Sequence, residues 1–208
     1  MFFPSSEIEV AAILSETKQP LSVAGGNTRV LVPSGSKIIS TSKLSGVIDY
    51  EPGALTMIAK AGTPLIEIQK TLASEDQCLA FDPYNWSRFI NKKGSSTIGG
   101  VFAANVSGSS RLRVGAARDF LLGIRLVDGL GNIIQNGGRV MKNVTGYDLV
   151  KLFAGSWGTL GILTEVSFKV LPKPETEATI VIHGLNDQLA LDAMIDATAT
   201  PFDVSGLA

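Results

Sequence analysis

One cysteine, Cys78, and one histidine, His183, are all that 208 residues offer to soft-metal or disulfide chemistry. A single thiol excludes an intramolecular disulfide framework and any multi-cysteine zinc or iron-sulfur site made by this chain alone. A cluster needed for electron transfer would have to sit on another polypeptide. Charge is scarce too: Asp, Glu, Lys and Arg make up 18% of the chain, against roughly 25% in typical soluble domains, a hint that part of the surface is covered by another domain or subunit. With a formal net charge of -1 and no long basic block, the electrostatic footprint for nucleic acid or an anionic membrane is missing. No uninterrupted apolar run approaches the roughly 20 residues of a membrane span. Met1-Phe2-Phe3-Pro4 carries no basic residue ahead of an apolar region, and Glu7 and Glu9 follow it, so the start does not read as a signal peptide. The expected location is cytoplasmic.

What is present is a 45% hydrophobic chain that can build a core. Ser5 or Ser6 is placed to cap a helix running to about Lys18, ended by Pro20, and Leu21 to Ala24 then forms a short strand. Strands are expected at Lys37 to Thr41, Gly46 to Tyr50 and Leu55 to Ala61, with a helix from Pro64 to about Ser74, where proline suits the first turn. Residues 94 to 161 hold 14 of the 22 glycines, where average usage of about 7% would place roughly five. Strands are nevertheless expected at Phe120 to Val127 and Ile133 to Gln135, around a turn at Asp128 to Asn132. A helix from Tyr147 to Ala154 and a long alternating strand from Leu160 to Leu171 follow, and Pro172 and Pro174 break the pattern. Beyond them, Thr179 to His183 reads as a strand and Asp187 to Ala197 as a helix, too little to bury its own faces and suggestive of the beginning of an incomplete second domain.

The strand ending at Ala24 runs into Gly25-Gly26-Asn27-Thr28. Neither the dinucleotide fingerprint G-x-G-x-x-G nor a Walker loop fits here, and the pair of glycines alone is equally a tight turn using positive φ. Two further small-residue junctions, Gly62-Thr63-Pro64 and Ser96-Thr97-Ile98-Gly99-Gly100, change the balance. Asn27, Thr28, Thr63, Ser96 and Thr97 can donate hydrogen bonds, and uncovered backbone N–H groups form an anion-binding nest without a lysine. Such junctions can converge on a diphosphate.

The ordered set Ala24 to Thr28, Ala61 to Leu65, Thr97 to Gly100, Asn105-Val106-Ser107-Gly108, Gly115 to Phe120 and Gly155 to Glu165 resembles the vanillyl-alcohol-oxidase-type, or PCMH-type, FAD-binding family. Gly138 to Leu149 and Val166 to Pro174 are most similar to the FAD-binding E-subunit group of bacterial glycolate oxidases. The resemblance implies an α+β fold of two α+β subdomains holding FAD between them over residues 1–172, with residues 173–208 beginning an incomplete C-terminal cap or substrate domain. It implies that Gly25, Gly26, Asn27 and Thr28 wrap the diphosphate, so that Gly26→Val would fill the space the diphosphate needs. Gly62, Thr63, Ser96, Thr97, Ile98, Gly99 and Gly100 would line the same cofactor. Asn105, Ser107, Gly108, Gly115 and Asp119 would border its flavin and adenosine ends, while Gly161 and Ile162 would present main chain. Relatives that hold flavin covalently use a histidine near the first turn; Asn27 stands there, which implies noncovalent FAD.

The activity implied is oxidation of glycolate or a related short 2-hydroxy acid to the 2-oxo acid. Its partners would be a second FAD-containing dehydrogenase subunit and an iron-sulfur subunit, with any membrane association through them. The alternatives are a noncatalytic assembly subunit and a standalone FAD-dependent 2-hydroxyacid dehydrogenase. No catalytic base and no metal ligand set can be named: His183 and Cys78 read as structural residues, Trp86, Trp157 and Tyr147 as packing residues, and Arg118-Asp119 as an ion pair or loop clamp. Arg111 and Arg113 are placed for an anion, a flavin carbonyl or acidic neighbours.

Overall fold

The computed structural model describes residues 1–29, 36–88, 94–138 and 147–208. Ser6 caps helix α1 (Glu7–Glu16) by accepting the Glu9 amide at 3.2 Å, and the Glu9 carboxylate accepts the Ser5 amide at 2.8 Å. Reciprocal caps of this kind satisfy amides that a first helical turn leaves unpaired. After Pro20, β1 (Leu21–Ala24) runs parallel to β2 (Lys37–Ser40), and Phe2 bridges to Ile39 on the other side. These pieces form a small lobe whose core joins Val10, Ile39 and Leu44 to Val127 and Ile162 of the large lobe.

The large lobe begins with β3 (Val47–Glu51), β4 (Thr56–Lys60), α2 (Leu65–Ala73) and β5 (Gln77–Cys78). The short helices α3 (Ile98–Ala103), α4 (Arg111–Val114) and α5 (Ala117–Phe120) lead into the hairpin of β6 (Leu121–Asp128) and β7 (Ile133–Gly137). Helix α6 (Leu149–Phe153), β8 (Gly161–Lys169), β9 (Leu171–Pro172) and α7 (Asp187–Thr198) complete the chain. Strands β3, β4, β8, β6 and β7 form one antiparallel sheet in that order. The two-residue strands β5 and β9 pair separately.

This is an α+β fold. Helices α2 and α3 cover one sheet face, where Phe81, Phe102, Phe120 and Phe168 meet with ring centroids 5.2 to 5.8 Å apart. Aromatic pairs at such spacing add about 0.5–1.5 kcal/mol beyond burial. On the other face Glu7 anchors α1: its carboxylate accepts Arg125 Nη2 at 2.5 Å, Arg125 Nε at 3.3 Å and the Thr164 hydroxyl at 2.6 Å.

Two expectations need correction. The Leu160 to Leu171 segment does not alternate: β8 is the middle strand, covered on both faces, so inward and outward residues are buried alike, and Val170 lies between it and β9. Thr179 to His183 forms no strand: it pairs with none of the described sheets, and Ile180, Val181 and Ile182 are exposed, so its apolar residues gain no buried face. Of the Gly138 to Leu149 run, residues 139–146 lie outside the described residues.

Candidate functional site

A cleft separates the two lobes. Its floor is set by backbone crossing backbone: a Cβ built on Gly26 would lie 1.5 Å from the Ser95 carbonyl oxygen, and one on Gly94 would lie 2.5 Å from the Gly26 carbonyl oxygen. Only glycine allows this approach. Beside it, Asn27 takes a left-handed conformation with φ 54°, and the buried hydroxyls of Thr28 and Ser96 hydrogen-bond at 3.1 Å. Asparagine tolerates that backbone region better than most residues. Gly99 packs its Cα face on Ala61, which lets α3 approach the end of β4.

Among the described residues, the amides of Gly25, Gly26, Asn27 and Thr28 have no acceptor. A run of unpaired N–H groups at a concave surface is a site for an anion. Arg29 follows at once and donates from Nη1 to the Gly100 carbonyl at 3.4 Å and from Nη2 to the Tyr84 carbonyl at 3.1 Å, while its buried Nε has no partner. Burial lowers its guanidinium to about 10, so it remains charged at neutral pH. No aspartate or glutamate of the described residues lines the cleft. The remaining walls are apolar or small: Val23, Ala24, Ala61, Ala103, Ala104, Gly158 and Leu163, with Ser156 and a half-exposed Trp157 at the mouth. The cavity between them is about 80 Å³ and opens to solvent. The donor set and the lack of negative charge along the described lining suit a dinucleotide whose central diphosphate meets the amides and whose apolar ring system meets the apolar wall.

The structure brings Gly25, Gly26, Asn27, Thr28, Ser96, Thr97, Gly99, Gly100 and Gly161 together around this cleft. The other expected residues lie outside its lining. Gly62 is pressed against the Thr41 and Leu44 carbonyls, and the buried Thr63 hydroxyl donates to the Lys60 carbonyl at 2.6 Å and accepts the Gly46 amide at 3.0 Å. Ile98 and Ile162 belong to the two hydrophobic cores. Asn105, Ser107 and Asp119 accept three successive amides, those of Arg118, Ala117 and Ala116, at 2.8 to 2.9 Å, and so hold the turn into α5. Gly115 enters that turn at φ 97°, and Gly108 packs on the Asp82 carbonyl.

Other residues correct the reading of the sequence. Tyr147 is 88% exposed, so it is not a packing residue, while Trp157 with φ 56° and Trp86 are each about half-exposed. Asp119 clamps the loop through the Ala116 amide rather than through Arg118, and Arg113 meets an acidic neighbour, Asp203. Arg29 was missed. The available signal was a lone arginine directly after a small-residue turn, but its burial depends on Tyr84 and Gly100, which are remote in sequence.

Residues 1–137 match the family model described as an FAD binding domain. The chain is 35% identical to glycolate oxidase subunit GlcE of Escherichia coli over 192 residues, 91% of this chain and 53% of that protein. It is 34% identical to glycolate oxidase subunit GlcD of Bacillus subtilis, over 94% of this chain and 40% of that one. With the D-lactate dehydrogenase of Anaerostipes hadrus it shares 30% identity over 89% of its length. The chain thus spans about half or less of these relatives. Among solved structures, alkyldihydroxyacetonephosphate synthase superposes with a TM-score of 0.64 at 23% identity, covering 84% of this chain and 32% of that one, which speaks for the fold. A matched model over most of the chain leads to one conclusion: this chain belongs to the FAD binding domain family.

Proposed function

We propose that residues 1–172 are the flavin-holding part of an oxidoreductase that converts glycolate or a related short 2-hydroxy acid to the 2-oxo acid, with residues 173–208 opening a further domain. The observation that carries the reading is the cleft itself: among the described residues, its lining holds four amides without an acceptor, one arginine and no carboxylate. Gly25 to Thr28 with Arg29 would hold the diphosphate, and Ala103, Ala104 and Leu163 would lie against apolar parts of the cofactor. Bound FAD would supply the two-electron acceptor for the substrate carbon. This chain would bind and orient it and keep water from its apolar side. The remaining site residues named from the resemblance, from Gly62 and Thr63 to Asp119 and Ile162, support this cleft through the packing and hydrogen bonds described above. The names of the relatives support assembly with other subunits, and electron transfer to an iron-sulfur partner fits a chain with one cysteine.

One observation favours a second reading. Among the described residues the cleft walls contain no side chain that could take the hydroxyl proton of a substrate. The chain would then hold flavin, or only the fold, while chemistry occurs on a partner. The deciding experiment is the visible spectrum of the purified protein before and after acid precipitation, followed by anaerobic addition of glycolate, D-lactate and D-2-hydroxyglutarate with and without partner subunits. Flavin released to the supernatant and bleached by one acid supports the first reading. Flavin that no acid bleaches, even in the assembled complex, supports the second, and a protein that takes up no FAD overturns both flavin assignments.

A further inference from the structure

Among the described residues, Arg29 is a cation without a counter-ion. Two carbonyl oxygens fix its guanidinium on the cleft wall, at 3.4 and 3.1 Å, yet neither carries a formal charge, and the buried Nε is unsatisfied. Burying such a group is unfavourable unless something charged completes it. No described ion pair involves Arg29, and it is the only charged residue of the described cleft lining. It also directly follows, in the chain, the four amides that lack acceptors. Those amides offer only partial positive charge, whereas a dinucleotide diphosphate brings about two full negative charges at neutral pH.

Resting on the reading of this cleft as a flavin site, we propose that Arg29 supplies the fixed positive charge that holds the diphosphate against the Gly25 to Thr28 amides, making the cleft select a diphosphate-bearing flavin over an uncharged one. Lysine is a poor substitute, because the two carbonyls at different positions are met by separate nitrogens of a planar fork. The apo protein tolerates the arginine at a cost, so its removal relieves the empty cleft and weakens the filled one.

The test measures binding of FAD, riboflavin and inorganic pyrophosphate to the whole chain and to Arg29→Met and Arg29→Lys, by calorimetry and flavin fluorescence, together with the melting temperature of each apo protein. For R29M the expected loss is about ten- to a hundredfold in FAD affinity, the range of a hydrogen bond to a charged group. Riboflavin binding stays unchanged, pyrophosphate no longer competes with FAD, and the apo melting temperature is unchanged or raised. R29K falls between. The assignment is overturned if R29M binds FAD within twofold of wild type, or if FAD and riboflavin weaken equally while the apo protein melts earlier, which is the signature of a packing role. Loss of glycolate binding with FAD retained also overturns it, by giving the cation to the substrate carboxylate. In each of these cases wild-type FAD binding leaves the reading of the cleft standing; a wild-type chain that binds neither FAD nor pyrophosphate removes both.

Discussion

At residue 26 a side chain would meet the Ser95 carbonyl before it met any ligand. Gly26→Ala is therefore expected to lower the melting temperature of the flavin-free protein and abolish FAD uptake together, whereas Gly53→Ala, which faces open space, should leave both near wild type; thermal denaturation of the apo proteins separates the two. The sequence shows that bare backbone is required at Gly25-Gly26, and the structure shows that part of the reason is the neighbouring loop at Ser95. Thr63 teaches the same lesson. Its hydroxyl is placed by the sequence at a strand-to-helix junction, but its partners, the Lys60 carbonyl and the Gly46 amide, are visible only once β3 and β4 are folded. Thr63→Val should cost about 1–3 kcal/mol of stability, as expected for a buried donor left without a partner, while the folded fraction keeps its FAD affinity; chemical denaturation and flavin titration on one sample check both.

Among elements, those with strong local signals were legible: the Ser6-capped α1, β1, the Pro64-led α2 and the β6-β7 hairpin all lie within a few residues of where periodicity and punctuation place them. Helices α3, α4 and α5 were not foreseen, because stretches of four to six residues have no helical period of their own. Thr97 caps α3 locally, whereas α5 takes its caps from the remote Asn105 and Ser107 and from its own Asp119, which accept the amides at its start. Asp119→Ala should lower stability by about 1 kcal/mol, the usual worth of a capping carboxylate. Removing the anchor of α1 by Glu7→Gln should have an effect of similar size, since the pair it forms with Arg125 is partly solvated, and that effect should shrink as salt is raised. Melting curves at two ionic strengths distinguish the two variants, because the Asp119 cap is a contact to neutral backbone amides.

For the molecule as a whole, the α+β class and the family were readable from the order of glycine junctions, and α7 falls where a helix was expected, whereas the behaviour of Thr179 to His183 was not readable. Hydrophobic residues at 180–182 look like a strand in one dimension, and only the folded chain shows that they pair with none of the described strands and stay exposed. Limited digestion with thermolysin should cut first within residues 179–184 and leave the two-lobed body intact, as read by mass spectrometry. One last feature gives the experimenter a handle on that body. Cys78 sits in β5 opposite Leu171, half-buried, and its thiol lies 3.9 Å from the Pro172 carbonyl at the point where the central strand leaves the sheet. Because it is the sole thiol of the chain, any maleimide dye or spin label reports from one address, and the rate at which it attaches becomes a clock for the peeling of β9 from β5 as ligands, partners or further polypeptide are added.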